Sequence, residues 1–208
     1  MSVACDIPDT QSTEAPASFA ALDRKAKYTI DWTPTIAIGL VHIAALAAFW
    51  PAMFTGKALA TAFVLHWICG GFGLTLGYHR LLTHRSFKTP KWFEYLLTWV
   101  GSLSLQGGPI KWVAVHRLHH QHSDDEGDPH TPLDGFVWSH ALWLFRFDPN
   151  FDPYEKYSQY ALDLARDRVH VAIQKYVLLS QLLVAVALYF WGGWPCVVWG
   201  VFVRLVYV

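Results

Sequence analysis

From Trp32 to Phe54 the chain reads WTPTIAIGLVHIAALAAFWPAMF, and none of these twenty-three residues carries a formal charge. A helix of about twenty apolar residues crosses the hydrocarbon core of a bilayer. Pro34 suits the start of such a helix, and Pro51 suits its end near the membrane interface. After the link Thr55-Gly56-Lys57, a second uncharged run extends from Ala58 to Tyr78, ALATAFVLHWICGGFGLTLGY. Two such runs joined by so short a link predict a transmembrane helical hairpin.

The character of the chain then changes. His79 to His170 is rich in His, Asp, Arg and Pro. Within it, Trp92 to Leu105 (WFEYLLTWVGSLSL) is apolar but short for a full span, which predicts an interfacial or cap helix. Val171 to Trp191 is apolar again, interrupted by Gln174, Lys175 and Gln181, and a break at GGWP follows. Cys196 to Val208 begins a fourth apolar run that includes Arg204. The expected fold is therefore an all-α integral membrane protein. It has two transmembrane hairpins, the fourth helix incomplete, and a cytoplasmic helical cap. Residues 1–30 are polar and are expected to form a disordered or loosely attached tail. Residues 31–208 are expected to be one domain.

Charge orients the hairpins. The middle segment carries ten Lys or Arg, the tail carries Arg24, Lys25 and Lys27, and the first link carries only Lys57. By the positive-inside rule the N-terminus and the middle segment are expected in the cytoplasm. A net charge of zero over 208 residues leaves no basic excess to neutralise phosphates, so nucleic acid is excluded as the main partner. Cys5, Cys69 and Cys196 match no zinc or disulfide spacing.

Histidines are concentrated where the apolar runs stop. His79 and His84 bracket HRLLTH, and His116, His119 and His120 fall in HRLHH. Offsets of three and four share a helix face, so the second group can point into one site. An offset of five turns an ordinary helix by about 140°. His79 and His84 can share a site only if the helix ends or distorts between them. Neutral imidazole suits Zn, Cu, Fe and Ni, and five imidazoles exceed what one tetrahedral zinc takes. A pair of iron ions matches the count better, with other transition metals left open. His122, His130 and His140 are expected to orient the ligands rather than bind metal. Of the run Asp124, Asp125, Glu126 and Asp128, mostly expected to be solvated loop, Asp128 is the one expected to accept an N–H from a liganded histidine. His42 and His66 lie mid-span, where a helix-packing hydrogen bond is expected, and His170 is expected at the interface. On the second span, Gly73 and Gly77 form a small-xxx-small pair for close helix approach.

The segments GYHRLLTHRSF, QGGPIKWVAVHRLHHQHSDDEGDPH and GFVWSHALWLF together resemble the membrane fatty acid desaturases, above all the Δ9 group that acts on acyl lipids or stearoyl-CoA. The resemblance covers about residues 31–208. It implies four transmembrane helices under a cytoplasmic cap that holds two ferrous ions, with His79, His84, His116, His119 and His120 as ligands and no catalytic group beyond them. It implies O2 as co-substrate and an acyl lipid or acyl thioester in the bilayer as substrate. It also implies a cis double bond at Δ9 as product, and ferredoxin or cytochrome b5 as electron donor. The Trp- and Gly-rich second span is expected to line the acyl tunnel, at Trp67 and Gly71. The family's third box, of HxxHH type, is not found in this sequence, and the chain is expected to be a fragment that stops inside its fourth helix. A histidine-box hydroxylase or ketolase and a non-catalytic membrane metal-binding protein are the alternatives. A haem bundle would need His42 and His66 to face one another. Arg80, Arg85 and Arg117, set among the ligands, are expected to meet an acidic headgroup or donor, or to anchor at the interface.

Overall fold

A computed structural model describes residues 29–123, 125 and 127–208. Its helices are α1 (Trp32–Ala45), α2 (Gly56–His66), α3 (Lys91–Ser102), α4 (Pro109–Gln121), α5 (Phe136–His140), α6 (Tyr154–Tyr157), α7 (Leu162–Ala165), α8 (Arg168–Lys175), α9 (Val177–Val197) and α10 (Arg204–Tyr207). Two strands, β1 (Thr29–Ile30) and β2 (Arg146–Phe147), pair antiparallel. The tail expected over residues 1–30 therefore ends in a paired strand at Thr29–Ile30, and the rest of it lies outside the described residues.

Among the described residues, three helical stretches are long and apolar enough to cross a membrane: Trp32–Phe49, Gly56–Thr83 and Val177–Tyr207. The first starts where the Asp31 carboxylate accepts the Thr33 N–H, the ordinary capping of an orphan donor. It stops at Pro51, whose ring cannot continue the helix. Thr55 caps α2 in the same way through Ala58.

The second span is irregular. Beyond α2, residues Trp67–Thr83 wind as a π-helix, with hydrogen bonds that skip five residues. Such windings normally appear as single-turn bulges at functional sites. Here the winding runs to the first histidine box, where the His84 N–H bonds the His79 carbonyl at 3.0 Å. The Thr83 hydroxyl bonds the Tyr78 carbonyl in the same register at 2.8 Å. Arg85, at φ 49°, takes the chain out of the helix.

The third span is broken. Gly193 adopts φ 69°, which glycine reaches without a Cβ clash, and the chain reverses at Gly192–Gly193. The two arms then lie side by side, with Leu188 against Gly200 and with Ala58, Leu188, Cys196, Val197 and Val201 in one apolar cluster. The Lys57 ammonium closes the turn by donating to the Trp191 carbonyl. The Cys196–Val208 run thus packs as a separate fourth helical arm, made of the end of α9, the π turn Val198–Val203 and α10.

The cap is built on α4. Pro109 opens it, and the Gln174 carbonyl oxygen of α8 accepts the Ile110 and Lys111 N–H groups at 3.1 and 3.4 Å. The main core joins Tyr78, Leu81 and Leu82 of the second span to Ile110, Val113 and Leu118 of α4 and to Tyr157, Ala161 and Leu164. Helix α3 lies along the second span rather than over its end. Gly101 meets Gly73, and Leu97 meets Gly77, so close that a Cβ on Gly73 would sit 2.5 Å from the Gly101 nitrogen. The expected small-residue pair is thus the seat of α3.

His170 is fully buried between α3 and α8, not at the interface. Its ring nitrogens lie 3.5 Å from Glu94 and 3.4 Å from Asp167. Lys91 and Tyr95 serve the same two carboxylates. Burial lowers the His170 pKa against the pull of those carboxylates, so the ring stays neutral in the core.

Candidate metal centre

The π winding places His79 and His84 side by side. Their Nε2 atoms are 3.1 Å apart, and their ring centroids 4.5 Å. In α4, His116 and His120 stand one turn apart with Nε2 atoms 3.3 Å apart. The core contact between the second span and α4 brings the two pairs together: His79 to His116 at 4.8 Å and His84 to His120 at 4.6 Å between ring centroids. Ligand nitrogens of His79, His84, His116 and His120 all lie within 4.8 Å of one another. Converging nitrogens of this kind suit one cation.

His119 does not join that group. One residue from His120, it is turned by about 100° around α4. Its Nδ1 faces the Asp128 carboxylate at 3.0 Å, and its ring stacks on His130 at 4.4 Å. The expected single site on α4 is thus divided, with His116 and His120 on one side and His119 beside them. His119, Asp128 and His130 form a second group whose donor atoms also fall within 4.8 Å. Asp128 is buried, its other oxygen accepts the His130 N–H at 3.0 Å, and Trp143 packs on His130 at 5.2 Å.

The remaining expected site residues are more scattered. His122 ends α4 with its ring over Gly127, and His140 stacks on Phe136 at 5.5 Å. Asp125 is exposed, and Asp124 and Glu126 lie outside the described residues. Trp67 is 57% exposed with its ring against Phe63 and His66, and Gly71 faces the Trp67 ring. His42 points outward and donates to the Ile38 carbonyl of its own helix, while His66 packs on Tyr207. These two do not make a facing pair.

The electrostatics favour the ligand form of imidazole. Burial, and then the neighbouring rings, push His116 down to about 3. The same causes lower His120, and burial lowers His130 against the opposing pull of Asp128. Neutral imidazole is the form that binds metal.

One residue that sequence reasoning missed holds the two boxes in register. Asp163 of α7 takes both forks of Arg117, at 2.8 and 3.0 Å, and Arg85 at 2.8 Å. Arg117 also donates to the carbonyls of Leu82 and Tyr160. Arg85 and Arg117 are thus tied within the molecule rather than held out to a headgroup. Burial alone would raise the Asp163 carboxyl, but the bonds from Arg117 and Arg85 bring it well below the usual carboxylate range. No motif marks Asp163, since its partners lie 46 and 78 residues away. An Asp163→Asn variant is expected to lose about 1–3 kcal/mol of stability, the worth of hydrogen bonds to a charged group. A thermal-unfolding midpoint in detergent measures it. Because the carboxyl is ionised throughout, the loss should be constant between about pH 5 and 8.

An open hollow of about 470 Å³ beside the four histidines is lined by Thr83, His84, Arg85, Arg117, His120 and Gln121.

Comparison with known proteins gives a family match. A model of the fatty acid desaturase family matches residues 50–208. The chain is 47% identical to the sn-1 stearoyl-lipid 9-desaturase of Anabaena variabilis over 88% of its own length and 66% of that protein's. It is 45% identical to the sn-2 palmitoyl-lipid 9-desaturase of a Nostoc strain, over 91% of its length and 67% of the relative's. A Synechocystis sn-1 stearoyl-lipid 9-desaturase is 42% identical over 89% of the chain and 58% of the relative. The chain therefore spans about two thirds or less of the length of these relatives.

Proposed function

The chain belongs to the fatty acid desaturase family, and from that premise we propose that it is the histidine-box part of an O2-dependent acyl-lipid desaturase that forms a cis double bond at Δ9. The observation that carries this reading is the convergence of His79, His84, His116 and His120 where the second span meets the cap. The proposed substrate is an acyl chain on a glycerolipid, because the three relatives named above bear the names of stearoyl- and palmitoyl-lipid desaturases.

The donor set fits iron. Four imidazoles converge, one of them, His116, partly buried and pushed down to about 3, and imidazole suits iron as it suits zinc and copper. The proposed ligands of one ion are His79, His84, His116 and His120. His119, turned away from that group and hydrogen-bonded to Asp128, is the proposed ligand of a second. When bound, the iron pair supplies the oxidising power to break unactivated C–H bonds, which no side chain has. In the overall reaction two adjacent methylenes lose two hydrogens, and O2 takes these with two electrons and two protons to give two waters. A ferredoxin or cytochrome b5 is the proposed electron source.

The chain's own residues position and tune. With Nδ1 of His119 donating to Asp128, its Nε2 is left as the lone-pair nitrogen, and the carboxylate fixes the orientation of the ring. Arg117 locks α4 to the end of the second span through Leu82, which fixes His116 and His120 against His79 and His84. Fixing one C–C bond of the acyl chain near the ligands then decides where the double bond forms. The proposed orientation places the cap and the histidines in the cytoplasm, on the side of the ten middle-segment Lys and Arg.

The test is to express the whole reading frame that contains this chain in a host lacking Δ9 activity and to identify the fatty acids by gas chromatography and mass spectrometry. New monoenes with the double bond at carbon nine support the proposal. Hydroxy or keto products would assign the hydroxylase or ketolase alternative, and an unchanged profile with iron retained would favour a binding protein. Asp128→Asn should lower iron affinity about 10–100-fold, the usual effect of removing an outer partner of a liganded histidine. Anaerobic Fe(II) titration of the purified protein reads this directly.

A further inference from the structure

Between the second histidine box and β2 lies a stretch, PLDGFVWSHALWLF (Pro132–Phe145), whose only formally charged residue is Asp134. Its large side chains divide by exposure, with Asp134 and His140 also exposed beside the apolar ones. Trp138 and Trp143 are turned inward, the first under the Arg146 guanidinium and the second on His130. Leu133, Phe136, Val137, Leu142 and Leu144 are turned outward and are 64, 79, 60, 48 and 41% exposed. Gly135, at φ 99°, makes the turn that presents Phe136 and Val137. Large apolar side chains exposed in a contiguous group mark an interaction surface.

The position of the stretch indicates what covers that surface. Its end is pinned to the entry of the first span: the Asp31 N–H donates to the Phe145 carbonyl at 2.8 Å, and Ile30 and Thr29 pair with Arg146 and Phe147. Asp31 is also the cap of α1, which opens a stretch long and apolar enough to cross a membrane with none of its residues buried in the protein. The apolar surface of 132–145 is thereby joined to the head of that stretch. Exposed Ile30 and Trp32 lie at the junction. Short aromatic-rich segments with an apolar face lie in the headgroup and upper acyl layer of a bilayer.

We propose that residues 132–145 form an in-plane membrane anchor, with Leu133, Phe136, Val137, Leu142 and Leu144 embedded in the upper acyl region of a glycerolipid bilayer. The anchor ends one ring contact from the His119–Asp128–His130 group, since Trp143 packs on His130. It holds the metal-proximal cap down on the membrane surface.

The test needs no enzyme activity, so its failure is separate from any failure of the desaturase reading. Cys69 and Cys196 are buried, and with Cys5→Ser in the background a single Phe136→Cys variant carries an environment-sensitive nitrobenzoxadiazole label. The chain is reconstituted in phosphatidylcholine vesicles with and without a lipid spin-labelled high on its acyl chain. The expected result is blue-shifted emission, loss of most of the fluorescence to the spin-labelled lipid, and protection from aqueous iodide. The same label at exposed Lys156 of α6 should be quenched by iodide and not by the lipid. Val137→Cys is a second reporter if the first site labels poorly. Quenching of both reporters by iodide alone would overturn the proposal. Insensitivity to both quenchers would overturn it too, because the surface would then be covered by protein.

Discussion

Replacement of His120 by alanine in the whole protein is expected to leave it folded and to abolish both iron retention and desaturation. His120 is exposed and packs nothing in the core, so truncation opens no cavity. Its Nε2 faces that of His116 at 3.3 Å, and its ring faces His84 at 4.6 Å. Removing an outer partner of a liganded histidine already costs about 10–100-fold in metal affinity, and loss of a ligand itself should cost more. His116→Ala should behave the same way, with some added loss of stability because that ring is partly buried. His42→Ala is the control, since His42 bonds only a carbonyl of its own helix on an exposed face. Metal content by inductively coupled plasma mass spectrometry and double bonds by gas chromatography read both consequences. Iron and product retained in His120→Ala would remove the four-imidazole site from the argument.

The second large effect comes from a residue with no chemistry of its own. Gly73→Ala is expected to destabilise the protein by about 3 kcal/mol, the upper end of overpacking costs, because the obstacle is backbone and cannot rotate away. The added methyl would lie 2.5 Å from the Gly101 nitrogen and 2.6 Å from its Cα. Helix α3 would have to lift from the second span, disturbing Tyr78, against whose ring Gly101 rests, and with it the contact of Tyr78 with Trp112 beneath His116. Gly71→Ala, two residues away, meets only the Trp67 ring at 3.7 Å and should be near neutral. Each variant adds one methyl, two residues apart, so folded yield and unfolding midpoint in detergent isolate the close approach from glycine's helix propensity.

The spans were legible because they rest on a one-dimensional property: an uncharged run long enough for the bilayer. The break at Gly192–Gly193 was legible for the same reason, since GGWP interrupts the run. The histidine boxes marked the site, and the offset of five between His79 and His84 already required the helix to end or distort between them, as it does. His116, His119 and His120 share a broad helical face, yet the 100° between His119 and His120 is enough to send one ring to Asp128 and the other to His84. His79 and His84 meet only through hydrogen bonds that skip five residues, and no residue type in WICGGFGLTLGYHRLLT announces that winding. What depends on distant partners was not legible. Asp163 looks like any acid in a short helix until the fold brings two arginines to it. His170 resembles an interfacial histidine until α3 covers it with Glu94, Tyr95 and Thr98.

The winding before His84 makes length itself a genetic constraint. Where hydrogen bonds skip five residues, losing a single codon from positions 80–83 would let the coil revert to its ordinary pitch. The His84 imidazole would then stand four residues after His79, an offset that keeps the two rings on one face. A single added residue there would instead turn everything downstream by about 100° relative to the cap and take Arg85 from Asp163. Random mutagenesis that separates insertions, deletions and substitutions should therefore find this stretch permissive to changes of Leu81 or Leu82 for other aliphatic residues and more tolerant of one lost residue than of one gained.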